Sequence, residues 1–202
     1  MWKFTEPPLQ ACVARGFTPA DAKVFGLRWS QDDDSWIIPI TEPFTGRQLG
    51  YQKKGAHVRN YPVGVKKSAT LFGSHKVSPA HNSPLVVAES PLDGVRLWSL
   101  GIRNSVATFG TNVSAAQFDL MAGVASEVVL FFDNDVAGRK ATIKAIDALS
   151  GRMQVSVFPY GDTSKDGVKL VLNEPDGRDP GDLSAGEIHS GMRSTVPYWR
   201  LA

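Results

Sequence analysis

The acidic side chains of this sequence fall in a pattern that chemistry can use. Asp133 and Asp135 stand two apart, directly after the run Val128-Val129-Leu130-Phe131-Phe132, and a helix-forming stretch with Gly138, Arg139 and Lys140 starts behind them. Five consecutive apolar residues, mostly β-branched or aromatic, read as a strand buried on both faces. Carboxylates at the carboxyl end of such a strand occupy the place where open α/β sheets hold their ligands. Glu89 closes a second run of this kind, Leu85-Val86-Val87-Ala88, while Asp179 and Asp182 close a late polar stretch. A lone Asp-x-Asp is more often a turn or a helix cap, and a lone Glu89 would be an ordinary strand-end acid. Several acids at matching ends of neighbouring strands are another matter, because crowded carboxylates repel unless a cation neutralises them. An all-oxygen set suits Mg²⁺ or Mn²⁺, hard cations that prefer carboxylates and keep water for exchange with phosphate oxygens.

Positioning these acids requires a parallel sheet, and residues 83–202 read as one. Strands are expected over 85–89, 105–109, 127–133 and 154–160, with helices over 92–100, from 114 onward and over 137–149. Ser114 followed by Gln117 makes a capping box at the second helix. Alternating strand and helix at this spacing argues right-handed crossovers. If the first and third of these strands are neighbours, Glu89 and the Asp133/Asp135 pair converge on one edge. Residues 161–182 read as a loop, long enough to be functional, followed by a short helix through His189. Pro197-Tyr198-Trp199-Arg200 reads as an exposed aromatic patch for docking.

The first half reads differently. Residues 1–13 are interrupted by Pro7 and Pro8 and are expected at the surface or against a partner. A short helix is expected over 16–27, with Thr18 as N-cap, Pro19 at the first helical position and Gly26 at its end. Residues 36–40 and 48–53 form the arms of a hairpin around Thr45-Gly46-Arg47, with Pro39 marking an edge or a bulge. Further extended pieces are expected at 58–61 and 69–72, and residues 79–84 are the expected linker. Between Glu42 and Glu89 there is no acidic residue, yet seven cations fall there: Arg47, Lys53, Lys54, Arg59, Lys66, Lys67 and Lys76. Such a block is a solvated basic face or, more tellingly, a surface for a polyanion, with nucleic acid the first candidate. The 202 residues carry a net charge of +2 and an ordinary globular composition. Cys12 is the single cysteine, which excludes an internal disulfide and a cysteine-rich zinc module and points to a reducing compartment. No signal peptide or membrane span is apparent, so a cytoplasmic protein is expected.

As a set, these residues resemble a known family. Glu89-Ser90-Pro91-Leu92-Asp93 resembles the glutamate motif of TOPRIM domains, where an acid ends the first strand and an aspartate follows four residues on. Asp133-Asn134-Asp135-Val136-Ala137-Gly138-Arg139 resembles their Asp-x-Asp-x-x-Gly-Arg motif. Phe109-Gly110-Thr111 resembles the Gly-Thr turn of primases of this class, and Asp179-Pro180-Gly181-Asp182 the acidic motif that follows. Arg15-Gly16-Phe17, Ile38-Pro39-Ile40, residues 46–51 and Leu71-Phe72-Gly73 are similar to the basic subdomain that precedes TOPRIM in bacterial and phage replicative primases. The implied architecture is α/β: a TOPRIM parallel sheet flanked by helices over residues 83–202, preceded by a smaller basic α+β subdomain over 1–82.

The resemblance implies a DNA primase that makes short RNA primers on single-stranded DNA from ribonucleoside triphosphates. It implies Asp133, Asp135, Asp179 and Asp182 as ligands of Mg²⁺ or Mn²⁺, and Glu89 as ligand or general base. Asp93 would hold a ligand or a water, Gly138 would let backbone approach a phosphate, and Arg139 would bind a phosphate or pair with the acids. Arg47, Lys53, Lys54, Arg59, Lys66 and Lys67 would grip template and triphosphate, largely without sequence readout. Tyr51 and Tyr61 could stack on bases or simply pack. Replicative primases usually carry a zinc-binding module and a helicase or helicase-binding region, so either separate proteins are expected to supply them or the chain is a minimal primase, as in a phage replication system acting in the host cytoplasm. Ser90-Pro91 departs from the more usual glycine after the glutamate. Two rival readings use the same fold: a metal-dependent TOPRIM nuclease, and a non-catalytic nucleic-acid-binding scaffold, against which the full acidic set argues. A topoisomerase is disfavoured, because no strand-passage region accompanies the core.

Overall fold

The computed structural model describes residues 4–78, 83–160 and 175–201. Its first sheet is an antiparallel meander in the order β1 (Arg28–Ser30), β2 (Ser35–Thr41), β3 (Gln48–Lys54) and β4 (Val58–Tyr61). β2 is buried almost along its whole length. Pro39 is accommodated because β2 has run past β1 there: Arg28 pairs with Ile37, while Pro39 has a partner only in Tyr51 of β3. The register then slips between Ile40 and Thr41, so the edge and the bulge expected from Pro39 both occur nearby. Two short helices, α1 (Leu9–Ala14) and α2 (Pro19–Val24), cover this sheet. Thr18 caps α2 in a full capping box with Asp21, and Pro19 stands in the first turn, so the expected helix is present but shorter. α1 and β1 go beyond the expected elements: α1 is only six residues long, with Leu9 and Val13 exposed and Cys12 buried. The stretch at 69–72 is a 3₁₀ turn over Lys67–Ala69 and a single bridge from Phe72 to Ala107, not a strand.

The second sheet has the order β6-β5-β7-β8-β9, formed by β5 (Leu85–Ala88), β6 (Ser105–Ala107), β7 (Glu127–Leu130), β8 (Gln154–Val157) and β9 (Val196–Pro197). The first four strands are parallel, and β9 joins β8 antiparallel. Its helices are α3 (Pro91–Ser99), α4 (Ala115–Val124), α5 (Val136–Leu149) and α6 (Ala185–Arg193). The Ser114–Gln117 capping box forms as expected. Both faces of the sheet are covered, which explains its unbroken apolar runs. Leu85, Val87, Leu130 and Phe132 pack with Phe118, Met121, Ala141, Ala145 and Leu149 on one side. Val86, Ala88, Val129 and Phe131 pack with Leu97, Phe158, Tyr160 and Ile188 on the other. Each such side chain contributes about 1.5–3 kcal/mol by leaving water, which holds β5 and β7 firmly in place. The ladder of β7 stops at Leu130, beyond which Phe131 N still donates to Val87 O of β5 at 2.9 Å.

The C-terminal stretch is less exposed than its composition suggests. Val196 and Pro197 pair with Val157 and Ser156, Tyr198 and Leu201 pack against the core, and Trp199 is left exposed. Of the expected loop at 161–182, residues 161–174 lie outside the described residues, as do 79–82 of the expected linker. The two sheets share a core: Phe17, Phe25, Trp36 and Ile38 pack with Leu92, Val95, Ala107 and Phe109. None of the described helices is long and apolar enough to cross a membrane.

Candidate active site

Parallel order puts the carboxyl ends of β5 and β7 side by side, since Val86 pairs with Val129 and Val87 with Leu130. The chain leaving β5 therefore meets the chain leaving β7. Asp133 N donates to Glu89 Oε1 at 3.2 Å, which ties the two acidic motifs together. Glu89 O accepts from Gly110 N at 3.0 Å, so the turn after β6 holds the same residue from the other flank. That turn places Phe109 in the left-handed region at φ 63° and Gly110 at φ 126°. Thr108 Oγ1 donates to Gly110 O at 2.8 Å, and Lys67 Nζ donates to Phe109 O at 2.7 Å.

Asp135 does what a lone Asp-x-Asp would be expected to do: it is the N-cap of α5, with Oδ1 accepting from Gly138 N at 2.7 Å. The cap and the acid cluster are thus one structure, because the tight cap brings α5 against the end of β7. A Cβ on Gly138 would run into Asp133 O and come within 2.7 Å of Glu89 Oε1. This glycine is required by the close approach of the helix to both acids. Arg139 does not pair with them: its Nε and Nη2 donate to Asn134 Oδ1 at 3.1 and 3.0 Å.

Asn134 is buried at 5% exposure and organises a latch that composition and spacing do not reveal. Its backbone N donates to Arg178 O at 2.7 Å, its backbone O accepts from Gly177 N at 2.9 Å, and its Nδ2 donates to Asp176 Oδ1 at 2.6 Å. These bonds fasten the 175–182 segment onto the end of β7. Asp179 and Asp182 lie just beyond, each accepting from the other's backbone N at 3.1 and 3.0 Å. Arg96 of α3 anchors the same segment by donating to Gly181 O and Leu183 O.

The electrostatics follow from this crowding. Glu89 and Asp93 are each 5% exposed. Burial, then the charge of Asp133, pushes Glu89 up to about 8. Burial, then Asp179 and Asp133, pushes Asp93 up to about 7. Burial, then Asp179 and Asp135, pushes Asp133 up to about 6. One cation from the first sheet reaches into this field. Lys54, the last residue of β3, donates from Nζ to Ser90 Oγ at 3.0 Å. Its burial lowers its pKa while Asp93, Asp133 and Asp179 pull it back up. Ser90, directly after Glu89, is therefore the side chain that receives this lysine.

The other expected cations separate by environment. Lys53, next in sequence but on the opposite face of β3, is bonded to Asp33 at 2.6 Å. Lys67 is half-buried on the Phe109 turn, whereas Arg47, Arg59 and Lys66 reach towards solvent. Tyr51 and Tyr61 stack on each other with centroids 5.1 Å apart. Tyr160, unmarked in the sequence, buries its hydroxyl beside the acids. As a donor set the acids are all oxygen, excessively negative and set against few cations, which fits a hard divalent ion. Among the described residues no three His, Cys, Asp or Glu side chains close around a common point unaided.

Residues 86–167 match the Toprim-like family model. The DNA primase of Pseudomonas aeruginosa is 28% identical over 181 residues, covering 85% of this chain and 26% of that protein. The DNA primase of Halalkalibacterium halodurans is 30% identical over 188 residues, covering 87% and 31%. The chain thus spans less than a third of these relatives. The structure of the Aquifex aeolicus primase zinc-binding and RNA polymerase domains has a TM-score of 0.72 at 24% identity, covering 93% of this chain and 55% of that one. A DnaG primase catalytic domain bound to single-stranded DNA has a TM-score of 0.71 at 21% identity, covering 95% and 72%. The chain is thus similar over most of its length to part of the DNA primases, matches the Toprim-like family over residues 86–167, and shares the fold of solved primase catalytic cores.

Proposed function

We propose that this chain synthesises short RNA primers on single-stranded DNA by divalent-metal-dependent nucleotidyl transfer. The observation that best supports this reading is the meeting of the buried carboxylates Glu89 and Asp93 and the half-buried Asp133 with Lys54, a cation delivered from the basic sheet. Acids alone would serve many metal enzymes; acids facing a basic sheet suit a polyanionic template and a triphosphate. In the reaction a primer 3′-hydroxyl attacks the α-phosphorus of a ribonucleoside triphosphate, a P–O bond forms, and pyrophosphate leaves. Mg²⁺ or Mn²⁺, when bound, neutralises the charge gathering on the phosphoryl oxygens and lowers the pKa of the attacking hydroxyl. Asp133, Asp135, Asp179 and Asp182 are the residues that would hold it, with Glu89 as a further ligand or as the acceptor of the hydroxyl proton. Asp135 contributes Oδ2, because Oδ1 caps α5. Asp93 holds Lys54 electrostatically at the site. Arg47, Arg59, Lys66 and Lys67 would bind phosphates of the template and the nucleotide; Lys53 joins them only by giving up Asp33. The zinc-binding module seen with the Aquifex aeolicus polymerase domain, and a helicase, are the partners this reading implies.

One gel tests it. The protein is incubated with single-stranded DNA, labelled ribonucleotides and Mg²⁺ or Mn²⁺. Primers are expected from the wild type and none from a folded Asp133→Ala variant. Cleaved DNA without primers replaces the reading with a nuclease, and binding without either product replaces it with a scaffold.

A further inference from the structure

Two side-chain atoms are buried without a hydrogen-bond partner among the described residues: Asp133 Oδ1 and the hydroxyl of Tyr160. Buried polar groups left unpaired are uncommon and call for an explanation such as an enclosed water. Both residues line the same small cavity, of about 20 Å³, together with Asn134, Arg139, Thr142 and Phe158. That volume exceeds the ~10–15 Å³ needed to admit one water, and a water there has polar partners within reach. Tyr160 is 7% exposed and held by its ring, edge-on to Phe131 and Phe158 at 5.7 and 5.3 Å between centroids. The hydroxyl is therefore aimed by packing rather than by any hydrogen bond.

We infer that Tyr160 is a positioning residue for Asp133, donating its hydroxyl proton to one water held in this cavity that in turn donates to Asp133 Oδ1. A carboxylate can only accept, so the orphaned oxygen needs a donor, and a phenol is a donor as well as an acceptor. Among the surrounding acids, Asp133 is the one that acts most strongly on Tyr160, and burial with these charges raises the phenol's pKa, so it stays protonated. Fixing Oδ1 sets the rotation of the carboxylate and leaves Oδ2 for a cation. This rests on the reading of Asp133 as a metal ligand, but its first consequence does not.

The direct test is a high-resolution crystal structure of the metal-free protein. A water within hydrogen-bond distance of both Tyr160 Oη and Asp133 Oδ1 is expected; a dry cavity overturns the inference whatever the metal chemistry. The functional test uses Tyr160→Phe, which keeps the ring packing, and Mn²⁺ binding by calorimetry. Affinity is expected to fall roughly 10-fold, the scale of groups that orient metal ligands, with no loss of thermal stability. In an Asp133→Asn background the same change should have no further effect on affinity. Equal Mn²⁺ affinity in wild type and Tyr160→Phe, or additive effects in the double variant, overturns the positioning role. Absence of Mn²⁺ binding by the wild type would instead refute the metal reading, leaving the crystallographic water to decide this one.

Discussion

Gly138→Ala is the sharpest perturbation of the acid cluster, because it adds one methyl where the end of β7, the start of α5 and Glu89 meet. The new Cβ would sit 2.7 Å from Glu89 Oε1 and closer still to Asp133 O, against 3.4 Å or more for ordinary van der Waals packing. The carboxylate can swing aside, but the carbonyl, the nearer of the two to the new Cβ, belongs to the backbone of the acidic turn, so α5 or that turn must shift by about an ångström. Overpacking of this kind costs ~1–3 kcal/mol. Displacing Gly138 N from Asp135 Oδ1 weakens a helix cap worth ~1 kcal/mol. A total of ~2–4 kcal/mol in a chain of this size lowers Tm by roughly 4–16 °C. Because the shift moves Asp133 relative to Glu89, primer synthesis should fall by about 100-fold, the scale of an ångström-level misplacement of reacting groups. The assay is thermal unfolding with primer synthesis measured below the transition. Gly123→Ala in α4 is the control: nothing lies within 4 Å of its added Cβ, and it should be neutral or slightly stabilising. A Gly138→Ala protein with wild-type Tm and wild-type activity would refute the reasoning.

The metal-free protein should be less stable at pH 8 than at pH 5.5. Glu89, Asp93 and Asp133 titrate near 8, 7 and 6 when folded but near 4 when unfolded, so the folded state holds more protons and stability falls as pH rises through that window. Calorimetry in EDTA should show a falling Tm that added Mg²⁺ partly restores; a flat or rising Tm would contradict the crowding of these acids. Lys54→Met should keep the fold but reduce primer synthesis at least ~10-fold, since the acids lose the cation bonded at Ser90; unchanged activity would remove Lys54 from the site. Lys66→Glu should weaken single-stranded DNA binding and lower its salt slope by about 0.7 for each phosphate no longer neutralised, with Tm unchanged. Lys67→Ala should differ by also lowering Tm, because Lys67 holds the Phe109 turn.

Local signals are legible where a short stretch settles the structure by itself. The Thr18 and Ser114–Gln117 caps need only their own turns, and the runs at 85–88 and 127–130 are apolar enough to be buried strands in any fold of this class. The convergence of Glu89 with Asp133 follows from strand order, which alternation of strand and helix constrains strongly. What stays hidden depends on partners distant in sequence. Lys54 differs from Lys53 only by the face of β3 it occupies, which a one-residue step in register decides. Asn134 looks like a spacer between two aspartates, yet its bonds to Asp176, Gly177 and Arg178 exist only once the late segment folds back. Tyr160 reads as an ordinary strand-end aromatic. β9 is two residues long and one of them is proline, so no period could mark it.

The core shared between the sheets bears on how this protein can be cut, moved and assembled. Phe72 exchanges backbone bonds with Ala107 at 2.9 and 3.1 Å, and Phe25, Leu92, Val95 and Phe109 close around that joint. Severing the chain near residue 82 would strip apolar cover from both pieces, so neither is expected to be soluble alone and the whole should unfold in one transition. The basic sheet and the acidic edge are thereby joined through one hydrophobic core, so a perturbation of that joint reaches both.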